Sequence, residues 1–300
     1  MRTEPVPPAL VGERLDVAVS RLMGVSRSRA AELAAAGLVR IDGAPAAKSA
    51  RLEAGQSLTV AEPQTAAAAE PVVSLEAVWE DQDLIVIDKP VGVAAHAGPG
   101  WSGPTVIGSL LAAGVTLATG GPLERRGVVQ RLDVGTSGLM MVAKSERAYS
   151  SLKQMFRDRA VRKTYHALVQ GLPDPLTGTI DAPIGRLPGA FKFAVVAGGK
   201  PSITHYELVE AFAGASLLRV GLETGRTHQI RVHLAAVGHP LVGDPFYGGD
   251  PKLAARLGLE RQWLHAAALE LDHPVTGLPL RCESPHPPDL AAALIALRES

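Results

Sequence analysis

Between Ala61 and Pro71 the chain reads AEPQTAAAAEP, with proline towards both ends and no amphipathic period. Proline lacks the amide donor that a helix interior or a central strand needs, so no continuous element is expected to cross this stretch. It reads as a linker, and it predicts a small unit over residues 13–60, a connection over 61–75 and a large unit over 76–300. The full 300 residues suffice for a compact core with an appendage.

In the small unit, Leu15, Val19 and Leu22 lie on one helical face, and Gly24 ends that helix. Ser26 is placed to cap a second helix, SRSRAAELAAAG, closed by Gly37. Leu38, Val39 and Ile41 then form a short strand, Asp42-Gly43 a turn and SLTV a last strand. Arg14, Arg27, Arg29, Arg40, Lys48 and Arg51 are spread along this unit. The order of elements and the phrase SRSRAAELAAAGLVRIDG resemble the small RNA-binding domain named after ribosomal protein S-four. That resemblance implies that the six basic residues meet RNA.

The large unit alternates strands and helices without the regular rhythm of a parallel sheet. AVWEDQDLIVIDKP reads as two strands around an acidic turn, TYHALVQG as a strand closed by Gly171, and THYELVEAF with SLLRVGLETG as a hairpin about Ala213-Gly214. SERAYSSLKQMFRDRA is a helix with Tyr149, Leu152, Met155 and Phe156 on one face. The predicted class is α+β: a small helix-turn-helix-plus-sheet domain, then a larger mixed, mostly antiparallel sheet with flanking helices.

Charge bounds the function only locally. Lysine plus arginine equals aspartate plus glutamate, at 30 each, so the whole chain carries no signature of a polyanionic partner. From Arg131 to Tyr165, however, eight basic residues face three acidic ones, a patch that would attract phosphates or simply be a solvated helix face. Cys282 is the single cysteine, so no intrachain disulfide can form and a reducing compartment is expected. No apolar run reaches the roughly 18 residues that span a bilayer, and the first residues lack the apolar run of a secretion signal. A cytoplasmic protein with no membrane association is expected.

The segment VVQRLDVGTSG places Asp133 where an apolar strand gives way to a polar turn. By composition alone, Asp133 could simply cap that turn, and Thr136 and Ser137 could satisfy exposed amides. The segment resembles the signature of the RluA-type pseudouridine synthases, a His-Arg-Leu-Asp run followed two residues later by Thr-Ser-Gly. Gln130 stands where that family has His; it can hydrogen-bond but cannot titrate near neutral pH. KTYHALVQG resembles the family's second signature and LETGRTHQIRVHLAAVGHPLVGDPFYG its third, and the likeness continues through RQWLHAAALELDHPVTG. It thus covers most of residues 76–285.

The resemblance implies that Asp133 is the reacting carboxylate and that Arg131 fills the gap left by a flipped base. It implies too that Tyr165 packs against the target base and that Arg231 pairs with Asp133. Thr136, Ser137 and Ile230, within the same motifs, are expected to contact substrate. Thr227 looks like the N-cap of a helix carrying Ile230, Arg231 and Leu234. Converting uridine to its C-linked isomer consumes nothing, and the sequence offers no Walker loop, no Rossmann glycine run and no Cys/His metal spacing. A zinc site from His228, His233, His239 and Asp244 fits poorly. His228 and His233 would stand about 140° apart on a helix, where ligand pairs need i+3 or i+4. No cofactor, no metal and no obligatory protein partner are expected. The expected partner is RNA, ribosomal by the resemblance, since members with the extra N-terminal domain commonly modify large-subunit ribosomal RNA. Transfer RNA is the alternative substrate. A non-catalytic RNA binder of the same fold is the alternative function. A carboxylate-dependent hydrolase fits less well, because Asp133 has no acidic neighbour in its loop.

Overall fold

Leu15, Val19 and Leu22 share the inner face of α1 (Leu15–Met23), which Gly24 ends in the left-handed conformation. The computed structural model describes residues 2–25, 27–61, 71–98, 100–120, 123–187, 189 and 192–299; Ser26 and most of the Ala/Pro stretch lie outside them. The chain divides into two compact units, Met1–Ala69 and Glu70–Ser300.

In the first unit β1 (Arg2–Pro5) precedes α1, and α2 (Arg27–Ala35) follows it. The short strands β2 (Val39–Ile41) and β3 (Ala44–Pro45) lead to β4 (Ser57–Val60). The sheet order is β1-β4-β2-β3. Asp42 and Gly43 both have positive φ, as a tight two-residue hairpin requires. Strand β1 is not foreshadowed by any local pattern in the sequence; it is recruited as an edge strand by antiparallel pairing with β4. Leu15, Val19, Ala30, Val39, Leu52 and Leu58 form this unit's own buried core.

The second unit is built on a nine-stranded sheet in the order β5-β6-β7-β14-β8-β13-β12-β9, with β15 also on β14. In chain order these strands are β5 (Glu76–Glu80), β6 (Leu84–Lys89), β7 (Ser137–Ala143), β8 (Arg162–Gln170) and β9 (Thr177–Asp181). A separate hairpin, β10 (Ile184–Arg186) with β11 (Phe193–Val195), comes next. The large sheet resumes with β12 (Ile203–Phe212), β13 (Ala215–Leu222), β14 (Leu264–Asp272) and β15 (Pro279–Glu283). Its helices are α3 (Val106–Ala112), α4 (Glu146–Arg157), α5 (Gln229–Ala236), α6 (Pro251–Arg256) and α7 (Pro288–Arg298). Strands β7 and β14 pair in parallel, and the other pairings of this sheet are antiparallel, giving the mixed α+β class.

The centre of the sheet is covered on both faces. Along β6 and β7, Ile85, Ile87, Met140 and Val142 join one apolar cluster, and Leu84, Val86, Leu139 and Met141 the other. Two-sided burial explains why these strands read as unbroken apolar runs rather than alternating ones. Helix α4 packs Tyr149, Leu152, Met155 and Phe156 against the second cluster. Val73 and Leu75, expected from the sequence to end the linker, pack against the first cluster, and Val73 donates its amide to Ser109 Oγ. The ordered edge of the large unit therefore begins before residue 76.

Candidate active site

Asp133 sits in the loop between Val128, which bridges to Val142, and the first residue of β7. Backbone and side-chain contacts pin this loop from two sides, and a turn bond closes it. Gly92 N–H donates to Val134 O, Thr136 N–H to Asp133 O, and Arg261 Nη1 to Gly135 O. Arg261 is itself anchored on Asp289 through Nε and Nη2. At Gly138, where β7 meets β14, φ is +111° and an added Cβ would stand 2.3 Å from Ala266 O. No other residue fits there, so this glycine allows the close parallel pairing that aims the loop.

From β8, Tyr165 points into the same space; from α5 come Ile230 and Arg231. Together with Arg131 and Thr136 these residues line a cavity of about 620 Å³, within the usual size of a small-molecule or single-residue site. Arg231 is buried and donates from Nη1 to Asp133 Oδ2 at 3.2 Å, while Nε and Nη2 hold both oxygens of Asp244 at 2.7 and 2.9 Å. The side chain of Asp133 keeps 17% of its surface exposed, beside an Arg231 side chain with 4%. Burial, with the Asp133 charge adding to it, raises the Tyr165 hydroxyl well above the usual phenol range, so it stays protonated. Arg131 is exposed on the cavity wall and donates to Thr227 Oγ1 at 2.6 Å.

Two expectations are corrected here. Thr227 does not cap α5: the cap position is His228, in the left-handed region at φ +56°, with no side-chain cap bond. The Thr227 hydroxyl is engaged by Arg131 instead. Ser137 does not face the cavity and bonds no exposed amide; it is buried as the first residue of β7 with Oγ on His265 Nδ1 at 3.0 Å. Thr136 does line the cavity, but its Oγ1 accepts from Gln262 Nε2 rather than from a turn amide. The four residues weighed as zinc ligands are each engaged by protein: His228 by Tyr247, His233 by Thr204 and Ala182, His239 by Gln170 O, and Asp244 by Arg231.

Further residues line the cavity or lie beside Asp133 without being singled out as site residues by the sequence. Lys89, wholly buried at the end of β6, donates to Pro90 O and Val93 O at 2.8 and 2.9 Å. Burial lowers its ammonium to about 7, against the opposing pull of Asp133. Arg125, Arg157, Arg159, Lys163 and Arg226 form a basic wall. The local charge excess between Arg131 and Tyr165 was the available signal for three of these. Lys144 and Arg147 of the same run turn elsewhere, to Glu80 and Asp83. Gln130 lines the cavity with its buried Nε2 lacking a hydrogen-bond partner among the described residues.

In the first unit, Arg14 and Arg27 both bond the buried carboxylate of Asp16 at 3.0 Å, and their hydrogen bonds hold it down to about 2. Arg51 donates to Gly12 O and Arg40 to Gly43 O, and Lys48 is exposed. The side chain of Arg29 lies outside the described residues.

Residues 83–236 match the family model of the RNA pseudouridylate synthases, and residues 13–58 match that of the S4 domain. The chain belongs to the RNA pseudouridine synthases, isomerases that convert uridine in RNA to pseudouridine, and carries an S4 domain ahead of the synthase unit. It is 54% identical to an uncharacterised RNA pseudouridine synthase of Mycobacterium bovis, over 99% of this chain and 98% of that one. It is 44% identical to ribosomal large subunit pseudouridine synthase D of Nitrosomonas europaea, over 98% and 87%. Among solved structures it resembles human RNA pseudouridylate synthase domain containing 1, with a TM-score of 0.59 and 27% identity over 80% of this chain and 98% of that one. No helix among the described residues is long and apolar enough to cross a membrane.

Proposed function

We propose that this enzyme isomerises uridines of large-subunit ribosomal RNA in the cytoplasm, with Asp133 as the reacting carboxylate and the target base swung out of its stack. The observation that carries the reading is the Arg231–Asp133 pair at 3.2 Å on the wall of a cavity of single-nucleoside size. The reaction breaks the bond from N1 to ribose and makes one from C5, with nothing oxidised or consumed. A buried guanidinium donates to one carboxylate oxygen and fixes where the other can meet the substrate. Flipping the base costs a few kcal/mol. Arg131, exposed at the cavity wall, fills the gap, and Tyr165 gives a stacking face worth about 1–3 kcal/mol. Thr136 and Ile230 complete the walls. The basic wall from Arg125 to Arg226, and Arg14, Arg27, Arg29, Arg40, Lys48 and Arg51 of the first unit, meet the phosphates. The choice of ribosomal RNA rests on the relative named as a large-subunit synthase.

Asp133→Asn keeps the side-chain volume and removes the charge. Tritium release from C5-labelled uridine in a transcript should fall several thousand-fold, a loss of about 5 kcal/mol in transition-state stabilisation, with RNA affinity changed only a few-fold. Native release would remove Asp133 from the reaction. Pseudouridine mapping in cells with and without the gene should lose sites in large-subunit RNA; losses confined to transfer RNA would overturn the choice of substrate.

A further inference from the structure

His228, immediately before α5, holds φ +56°, a conformation that residues with a β-carbon seldom adopt unless their surroundings fix it. Its ring stands edge-on to Phe193 and Tyr247, with centroids 5.8 and 5.6 Å away. The hydroxyl of Tyr247 favours one tautomer of the ring. Phe193 N–H donates to that oxygen at 3.2 Å, and His228 Nδ1 lies 2.8 Å from it. Burial keeps Tyr247 protonated, so its O–H donates to Nδ1. Burial also outweighs the Asp133 charge and lowers the imidazolium of His228, leaving a neutral ring with its proton on Nε2. His228 lines the cavity, and its Nε2 lies 3.9 Å from Asp133 Oδ1, while Arg231 occupies Oδ2.

We propose that His228 contacts the substrate, its Nε2–H donating a hydrogen bond to a carbonyl oxygen of the uracil ring as the bond to ribose breaks. The proposal rests on Asp133 being the reacting carboxylate. The 3.9 Å gap is too long for a hydrogen bond, so the donor is not consumed by Asp133. A group touching Oδ1 stands within reach of both. A phosphate is disfavoured there by the carboxylate. A uracil carbonyl is neutral in the ground state. When the N1–C1′ pair stays with the ring, negative charge spreads onto its oxygens. A fixed donor then binds the transition state more tightly than the substrate. No proton leaves Nε2: C5 later gives up its hydrogen, N1 gains one, and the product is an isomer.

The test is single-turnover tritium release at saturating enzyme, beside RNA affinity, on the full-length protein. His228→Phe should slow the saturating rate about 100-fold, the usual cost of deleting one such donor, with affinity within about threefold. His228→Asn, which tolerates positive φ and keeps an N–H donor, should recover part of the rate. Nitrogen NMR of the native protein should show Nδ1 as an acceptor and Nε2 protonated, and Tyr247→Phe should mix the tautomers. A native-like rate in His228→Phe, a loss confined to affinity, an Asn variant no better than the Phe variant, or a proton found on Nδ1 each overturns the proposal. If Asp133→Asn retained native release, the underlying assignment would fail instead. A strict dependence on Asp133 with an indifferent His228 would remove this proposal alone.

Discussion

Arg231 is shared between two aspartates, held on two sides by Asp244 and turned by that grip so that Nη1 reaches Asp133. Asp244 has no exposed side-chain surface, and its Oδ1 also accepts the amides of Phe246 and Tyr247. The bidentate pair thus sets the angle of the guanidinium, and the loop after α5 sets the pair.

Arg231→Met should cost folding stability as well as activity. It strands the buried charge of Asp244, a change of about 3–5 kcal/mol. Adding Asp244→Asn, which keeps the acceptor for the two amides but not the charge, should restore much of that stability and none of the activity. Urea melts of the native, single and double variants measure it. A double variant no more stable than Arg231→Met would show that the charge was not the cost.

Gln130 carries a buried amide nitrogen without a partner among the described residues. Its stability cost and its use should separate on substitution. Gln130→Leu should leave the fold as stable or raise it by about 1 kcal/mol, since the desolvated donor is gone. Activity on RNA should fall, because Gln130 lines the cavity beside Arg131 and Asp133 and its polar amide is lost there. Thermal melts with single-turnover rates test both halves; a variant that is more stable and fully active would show the amide to be idle.

Lys89 makes stability depend on alkaline pH. Its ammonium drops from 10.5 to about 7 on folding, mainly through burial. Between those values the unfolded chain binds the extra proton, so this group's contribution improves as pH rises through the window and is constant below it. Relative to Lys89→Met, the native protein should gain on the order of 1 kcal/mol per pH unit from about pH 7 to 10. Parallel stability curves for the two proteins over that range would refute the burial of a neutral lysine.

The first unit is expected to supply affinity rather than chemistry. A chain starting at Pro71 keeps Val73 and Leu75 on the synthase core, whereas one starting at Glu76 lacks them. The longer version should fold and still release tritium at high concentration. Its RNA binding should be weaker, with a salt slope shallower by about 0.9 for each duplex phosphate that it no longer neutralises. The shorter version should melt at lower temperature. A longer version that is folded and RNA-bound but inactive would mean that the S4 unit helps to build the active site.

Local chemistry was legible in the sequence. The faces of α1 and α4, the hairpin between β12 and β13 and the Asp42-Gly43 turn follow from periodicity and turn residues a few positions apart. The motifs around Asp133, Tyr165 and Arg231 could be found, but only by resemblance, since an Asp in a Gly/Ser/Thr turn has nothing local to mark it as reactive. Tertiary structure alone decided the rest. Strand β1 exists because β4, more than fifty residues on, offers it an edge. Lys89 neighbours Asp133 because β6 and β7 pair. Asp244 aims Arg231, and Ser137 turns inward to His265 rather than to the cavity. A side chain's face is set by register, and its charge by burial. Both arise from contacts between segments distant in the chain, whose pairing leaves no periodic trace in either segment alone.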